Sequence, residues 1–233
     1  EKNLSKQIAE TTFIDKIVDE PTDMVSEVDG ILLARDDYRN HLKLSENFIN
    51  AGLPIYIDKP LAVNEAMASE ILNKQVYEGQ IFTGSALAYD PTLIEFAKSL
   101  KSESECKFIF GTAPGNWDTY SVHLIDPILR VLNYKFNIHN YNTYSVDSYS
   151  SLNGSFNKNC FFSIQCLGGY ASPLRLTFIY DDGFKEFDFH IDPFNAFKNA
   201  LIIFTKNVMT KKVIRTPTEI LHSVKLISLG INI

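Results

Sequence analysis

Pro54-Ile55-Tyr56-Ile57-Asp58-Lys59-Pro60 is the stretch that decides the fold, because an apolar run ends there in an acid, a lysine and a proline. Short apolar runs bounded by turn residues are typical of buried parallel strands. Comparable runs lie on either side of it, at residues 28–34 and 81–87. Since a proline keeps the residue before it out of helical dihedral angles, Lys59 is expected to lie extended at the end of its strand.

Segments with helical periodicity separate these strands. One helix is expected over residues 38–51, with Gly52 ending it, and a second follows a cap at Asn64. A third opens at Asp90-Pro91, because proline fits the first helical turn. Strands that alternate with helices predict a parallel sheet covered on both faces, here as the second half of a doubly wound domain.

The pattern changes after residue 102. The following features, in chain order, are a polar break at residues 102–105, one long helix at 117–132, strands at 160–166, 174–180 and 184–191, and two closing helices. Asp182-Gly183 is a two-residue turn signal that joins the last two strands into a hairpin. We therefore predict two domains, residues 1–102 and residues 103–233.

Composition excludes several classes of protein. The chain has 22 Lys and Arg against 28 Asp and Glu, and its basic residues are scattered, so a nucleic-acid partner is not expected. No apolar run approaches the ~18 residues that a membrane span needs. Cys106, Cys160 and Cys166 form no C-x-x-C spacing, which favours three reduced, buried thiols in a cytoplasmic protein and no metal site.

Phosphate-binding glycine motifs are absent from the 233 residues: neither G-x-G-x-x-G nor G-x-x-x-x-G-K occurs. Yet Asp58-Lys59-Pro60 resembles the Glu-Lys-Pro signature of the glucose–fructose oxidoreductase/inositol dehydrogenase (Gfo/Idh/MocA) family. Residues 34–41 are similar to that family's loop leading to a helix-start histidine, and residues 84–91 to its next strand. His123-Leu124-Ile125-Asp126 matches its His-x-x-Asp element. These matches stand in order along essentially the whole chain.

The resemblance implies an α/β fold, with an incomplete Rossmann-like parallel sheet domain followed by an α+β domain with an open antiparallel-rich sheet. It implies an NAD(P)-dependent oxidoreductase of a sugar, nucleotide sugar or polyol that forms a homodimer or homotetramer through the open sheet. It also implies that about 40 residues with the glycine motif lie upstream of Glu1. The choice between NAD and NADP stays open, because the residue that reads the ribose would lie there. The cofactor-binding residues that it implies are Ala34, Arg35, His41, Asp58, Lys59 and Pro60.

The resemblance also implies a catalytic pair, Lys59 and His123. A histidine with an ordinary pKa of about 6.5 suits a general base for a hydroxyl proton, and an ammonium can stabilise the developing alkoxide. The family places an aspartate four residues before this histidine, where the present chain has Thr119. Asp118 is its neighbour but points about 100° away on a regular helix. Either the turn is irregular and Asp118 substitutes, or the catalytic set is reduced.

Two aromatic residues near His123 are candidate substrate contacts. Trp117 and Tyr120 could pack on a sugar ring, although core packing explains them equally well. Two other functions remain open: a non-catalytic module that binds a dinucleotide or a sugar, and a reductase of imines or C=C bonds on the same fold.

Overall fold

The predicted parallel sheet is present. In a computed structural model of the chain, which describes residues 2–100 and 106–231, three strands form one sheet in the order β1-β2-β3. They are β1 (Ile31–Leu33), β2 (Ile55–Ile57) and β3 (Ile81–Thr83), and both pairings are parallel and in register. Each strand is shorter than its apolar run. The run at 81–87, for example, turns after Thr83 into a 3-10 helix at Ala86–Tyr89.

Helices cover both faces of this sheet. The first hundred residues form α1 (Lys2–Thr12), α2 (His41–Asn50), α3 (Glu65–Leu72) and α4 (Pro91–Ser99), of which α2 and α3 pack on the sheet. The caps are the expected ones, since Asn64 accepts a bond of 2.9 Å from the N–H of Met67, and Asp90 accepts the N–H groups of Thr92 and Leu93. Side chains alternate along the strands, so Ile55 and Ile57 pack under α2 and α3 while the opposite face takes Tyr56.

The second part of the chain forms a six-stranded sheet in the order β5-β6-β7-β4-β8-β9. Its strands are β4 (Cys106–Ala113), β5 (Ile138–Val146), β6 (Tyr149–Phe156), β7 (Cys160–Cys166), β8 (Arg175–Tyr180) and β9 (Gly183–Asp188). The β4–β7 pair is parallel and the other four are antiparallel. The predicted hairpin of β8 and β9 is confirmed, but Tyr180 pairs with Gly183, so its two turn residues are Asp181 and Asp182. Strand β9 ends at Asp188, short of the expected residue 191.

The long helix expected over residues 117–132 is two helices, α5 (Trp117–Tyr120) and α6 (Val122–Val131), separated at Ser121. The closely packed face of the sheet lies under α6: a side chain on Gly111 in β4 would press against Leu124 and Leu176. The other face carries exposed rings, including Phe108, Phe110 and Phe161. The sheet is therefore buried on one side and open on the other.

Two closing helices, α7 (Phe194–Thr210) and α8 (Pro217–Ile231), return to the first sheet. Phe204 of α7 packs on Tyr56 and Phe82, and Val224 of α8 joins the core beneath the strands. Glu219 and Thr216 cap α8 reciprocally, as their spacing predicts. The boundary predicted at residue 102 lies outside the described residues, and the division into two domains stays a prediction. Within residues 2–100 and 106–231, the helices are too short or too polar to cross a membrane.

Candidate active site

Lys59 follows the carboxyl end of the middle strand. Asp58 accepts the backbone N–H of Lys59 at 2.8 Å, and the peptide bond from Lys59 to Pro60 is cis. From the sequence, Pro60 was expected to contact the cofactor. The residue is buried, so its part in the site is to shape the backbone. The lysine is half-buried at the sheet end. Ligands of open parallel sheets bind beyond this end of the strands.

His123 occupies the first turn of α6, where the positive charge of Lys59 acts on its ring. Burial, with the positive charge of Lys59, lowers the pKa of the His123 ring to about 4, against a smaller opposing effect of Asp126. The Tyr120 ring meets the imidazole edge-on, with 5.6 Å between centroids. His123 is therefore a neutral ring at pH 7. The expected pKa near 6.5 is wrong, because burial and a like charge both disfavour the imidazolium.

Ser85, which the sequence did not single out, contacts the imidazole directly. Its Oγ lies 2.9 Å from Nδ1 of His123, and its backbone N–H donates to Asp126 at 2.7 Å. The serine is fully buried where the chain leaves β3. The apolar character of residues 81–87 concealed it, since a serine in such a run is indistinguishable from a strand residue.

Asp126, the acid of the His-x-x-Asp element, belongs to a buried network. Arg215 donates to its two carboxylate oxygens at 2.9 and 3.2 Å, and the hydroxyl of Ser223 donates to it as well. Arg215 also donates to the carbonyl of Thr83 at 3.3 Å. These bonds fix the end of β3 against α6 and α8. Asp126 is thus a structural acid that holds the histidine-bearing helix in place.

The two helper candidates upstream of His123 make no hydrogen bond to its ring in the described structure. Burial raises the pKa of the Cys166 thiol to about 12, and the charge of Asp118 adds a smaller effect, so this carboxylate lies near the end of β7. Among the described residues, neither Asp118 nor Thr119 is hydrogen-bonded to the imidazole, whose Nδ1 is taken by Ser85. The structure thus gives the ring a serine where an acid was expected.

Trp117 requires a correction. Its indole is 4% exposed, its Nε1–H donates to the carbonyl of Ile227 at 2.8 Å, and its ring fills the space beside Gly230. The ring is therefore part of the core under α8 and cannot pack on a substrate. Tyr120 is 38% exposed beside His123 and stays a candidate contact.

His41 also requires a correction. It is fully buried, with Nδ1 3.0 Å from the carbonyl oxygen of Leu61 and Nε2 2.6 Å from that of Arg35. Both ring nitrogens are engaged, so the side chain has no group left for a cofactor. It ties the loop after β1 to the loop after Lys59-Pro60, which is a positioning role.

A groove at the carboxyl ends of β1 and β2 is lined by two more of the residues that were expected to bind the cofactor. Its volume is about 190 Å³, and its lining includes Ala34, Asp58 and, from α7, Phe197 and Leu201. Arg35 is exposed nearby, with its guanidinium 3.6 Å from Asp37. This mixture of an apolar wall and one carboxylate fits part of a dinucleotide, whose ring and ribose need apolar contact and hydroxyl acceptors.

No family model matches the chain, and no curated protein is similar to it in sequence. Solved structures do match. UDP-N-acetylglucosamine 3-dehydrogenase GnnA from Acidithiobacillus ferrooxidans is 10% identical, over 99% of this chain and 86% of that one, with a TM-score of 0.84. The myo-inositol 2-dehydrogenase from Lactobacillus plantarum is 12% identical, over 97% and 85%, with a TM-score of 0.80. The scyllo-inositol dehydrogenase from Lactobacillus casei is 12% identical, over 95% of this chain and 82% of that one, with a TM-score of 0.73.

At these identities the likeness establishes the fold, since sequence agreement is too low to carry individual residues across. The match to GnnA spans 99% of this chain, so it includes both the three-stranded parallel sheet and the six-stranded mixed sheet. The structural neighbours of this protein are Gfo/Idh/MocA-type dehydrogenases, and the chain has their Rossmann-like fold.

Proposed function

We propose that the protein is an NAD(P)-dependent oxidoreductase that moves a hydride between a nicotinamide and the CH–OH or C=O carbon of a sugar, nucleotide sugar or polyol. The observation that carries the proposal is that Lys59, at the carboxyl end of the parallel sheet, acts with its charge on His123 and, together with burial, lowers the pKa of the imidazole. An ammonium and a neutral imidazole beside each other suit a reacting oxygen that gains and loses negative charge.

Ala34, Asp58 and Lys59 are the residues that would hold the nicotinamide end of NAD or NADP, with Arg35 beside them. The groove at the ends of β1 and β2 supports this, because a carboxylate and an apolar wall lie together there. The bound nicotinamide would supply or accept the hydride. The names of the structural neighbours, a UDP-sugar dehydrogenase and two inositol dehydrogenases, support a polyhydroxylated substrate.

The chain's own residues then have separate tasks. Lys59 places a positive charge at the substrate oxygen, which stabilises a developing alkoxide. His123 contacts the same oxygen and is held by Ser85 and, through α6, by the Asp126–Arg215 pair. Tyr120, exposed beside the imidazole, offers a ring face and a hydroxyl to the rest of the substrate.

The experiment is a screen of sugars, nucleotide sugars and inositols with NAD and NADP, read by nicotinamide fluorescence. On the substrate identified, Lys59→Met and His123→Ala should each lower turnover at least ~10²-fold while the fold is retained. Two variants with wild-type turnover would exclude the assignment. A protein that binds the cofactor but never changes its redox state with any compound would be the non-catalytic module instead.

Association through the open sheet is part of the proposal. Phe108, Phe110 and Phe161 are 43%, 46% and 51% exposed, and their rings stack side by side across β4 and β7. Exposed aromatic clusters of this kind are typical of surfaces covered by a partner. A Phe161→Glu variant should therefore have a lower mass than the wild type in light scattering. An unchanged mass, or a monomeric wild type, would remove the sheet as the interface.

A further inference from the structure

Ser85 is held rigidly where β3 ends. Its side chain is fully buried, its backbone N–H donates to Asp126 at 2.7 Å, and its Oγ accepts the N–H of Leu87 at 3.2 Å. Asp126 is in turn fixed by its ion pair with Arg215. Among the described residues, the hydroxyl therefore has one remaining partner, Nδ1 of His123, at 2.9 Å.

Two arrangements of hydrogens are compatible with that distance. In one, Nδ1–H of His123 donates to Ser85, and the hydrogen of the serine hydroxyl is left without an acceptor among residues 2–100 and 106–231. In the other, the serine hydroxyl donates to Nδ1, and both its hydrogen and an oxygen lone pair are bonded. A fully buried donor without a partner carries its whole desolvation penalty, so the second arrangement is favoured.

We propose that Ser85 is a positioning residue that fixes His123 in the tautomer with its hydrogen on Nε2, so that the ring meets the substrate oxygen as a hydrogen-bond donor. Nε2 makes no hydrogen bond within the described part of the chain and is free for a ligand. Burial and the nearby Lys59 charge, which lower the pKa of the ring, keep it neutral at pH 7 and preserve this single hydrogen. The role at a substrate rests on the proposed function, but the tautomer does not.

The tautomer decides which residue moves the proton. A neutral ring that carries Nε2–H and accepts a bond at Nδ1 has no free lone pair for a hydroxyl proton, so His123 polarises the oxygen without acting as its base. The proton is left to Lys59. In carbonyl reduction one Nζ–H bond breaks and one O–H bond forms, and the neutral amine regains its proton from solvent. In alcohol oxidation the ammonium first releases a proton to solvent, and the resulting amine takes the hydroxyl proton as the hydride leaves the carbon for the nicotinamide.

Nitrogen NMR of the histidine rings tests the proposal on the protein alone, near pH 7, without cofactor or substrate. His123→Gln identifies the signals of His123 by their loss. We expect a pyrrole-type Nε2 and a pyridine-type Nδ1, with the Nε2–H tautomer favoured about tenfold or more. A wild-type ring with its hydrogen on Nδ1 would overturn the proposal without any further variant.

Ser85→Ala should reduce that preference to less than about threefold, because Nδ1 loses its donor. The matched control is Ser121→Ala, which removes a buried hydroxyl that has no hydrogen-bond partner in the described structure, two residues from His123. An unchanged tautomer in Ser85→Ala, or an equal change in Ser121→Ala, would contradict the role of Ser85. Since no substrate is present, a failed substrate screen leaves this result standing, and a successful screen does not rescue it.

Discussion

The carboxylate of Asp126 lies against the guanidinium of Arg215, with Oδ1 2.9 Å from Nη2 and Oδ2 3.2 Å from Nη1, and both side chains are almost fully buried. Arg215 also bonds the carbonyl of Thr83 at the end of β3, and Asp126 accepts the N–H of Ser85. The pair therefore connects the end of the parallel sheet with the helix that carries His123. The geometry of the candidate site depends on this one ion pair.

Replacing Arg215 by methionine should destabilise the protein by about 3–5 kcal/mol, because it leaves the carboxylate of Asp126 buried without its countercharge. Urea unfolding at pH 7 measures the loss. Lys74→Ala is the control: its ammonium lies 2.7 Å from Glu46 in a pair that is 40% and 42% exposed, and its removal should leave the midpoint nearly unchanged. Equal midpoints for Arg215→Met and the wild type would contradict the importance of the pair.

Gly84→Ala should also destabilise the protein, by about 1–3 kcal/mol. The glycine has a φ of +109°, which L side chains rarely adopt, and a Cβ there would collide with Arg215 and Asp126. Gly169→Ala is the matched control, since nothing lies within 4 Å of its added Cβ. Thermal unfolding should separate the two variants, and similar melting temperatures would show that the ion pair yields to the added methyl group.

The fold could be predicted from the sequence because hydrophobic periodicity is strong in the first hundred residues. The runs around Ile55 and Ile81 are short, apolar and bounded by turn residues, which favours buried strands, and Asn64 and Asp90 cap their helices as their positions suggest. Strand lengths were overestimated, since residues such as Leu87 are buried by tertiary packing in a 3-10 turn as well as they would be in a strand. Local pattern does not distinguish the two.

The candidate site was predicted in part from the sequence, and the residues that the prediction missed share one physical cause. Lys59 and His123 carry chemically distinctive side chains, so motifs point to them, and the charge of Lys59 does act on the His123 ring. Ser85 contacts His123, which lies 38 positions further along the chain, and Arg215 contacts Asp126, which lies 89 positions before it. No local sequence pattern reveals such contacts. Trp117 and His41 were misplaced for the same reason, because burial of an aromatic or imidazole ring is decided by elements far off in sequence.

The neutral imidazole makes stability depend on pH. In the folded state the pKa of His123 is about 4, against about 6.5 when unfolded, so the unfolded state binds more protons between these values. Stability from this group is therefore complete above pH 6.5 and is lost as the pH falls towards 4, by up to about 3 kcal/mol. Urea unfolding at pH 7 and pH 4.5 should show a smaller decrease for His123→Gln than for the wild type.

Lys59→Met serves as the test of proximity in the same experiment. Removing the ammonium removes one of the two causes that keep the ring neutral, so the decrease between pH 7 and pH 4.5 should shrink while part of it remains from burial. A Lys59→Met protein with the full wild-type pH dependence would mean that the lysine charge does not reach His123, and the paired site would then be untenable.

A comparison of His123→Gln with His123→Leu separates a hydrogen-bond donor from a general base. The glutamine amide places an N–H near the position of Nε2, whereas leucine fills similar space without a polar group. Loss of a single donor to a developing oxyanion costs about 10²–10³ in turnover, so His123→Gln should retain at least about tenfold more kcat/KM than His123→Leu on the substrate found by the screen. If His123 instead takes the proton, neither replacement can do so, and the two variants will be equally slow. Equal rates would return the proton to the imidazole and leave Lys59 as the electrostatic partner alone.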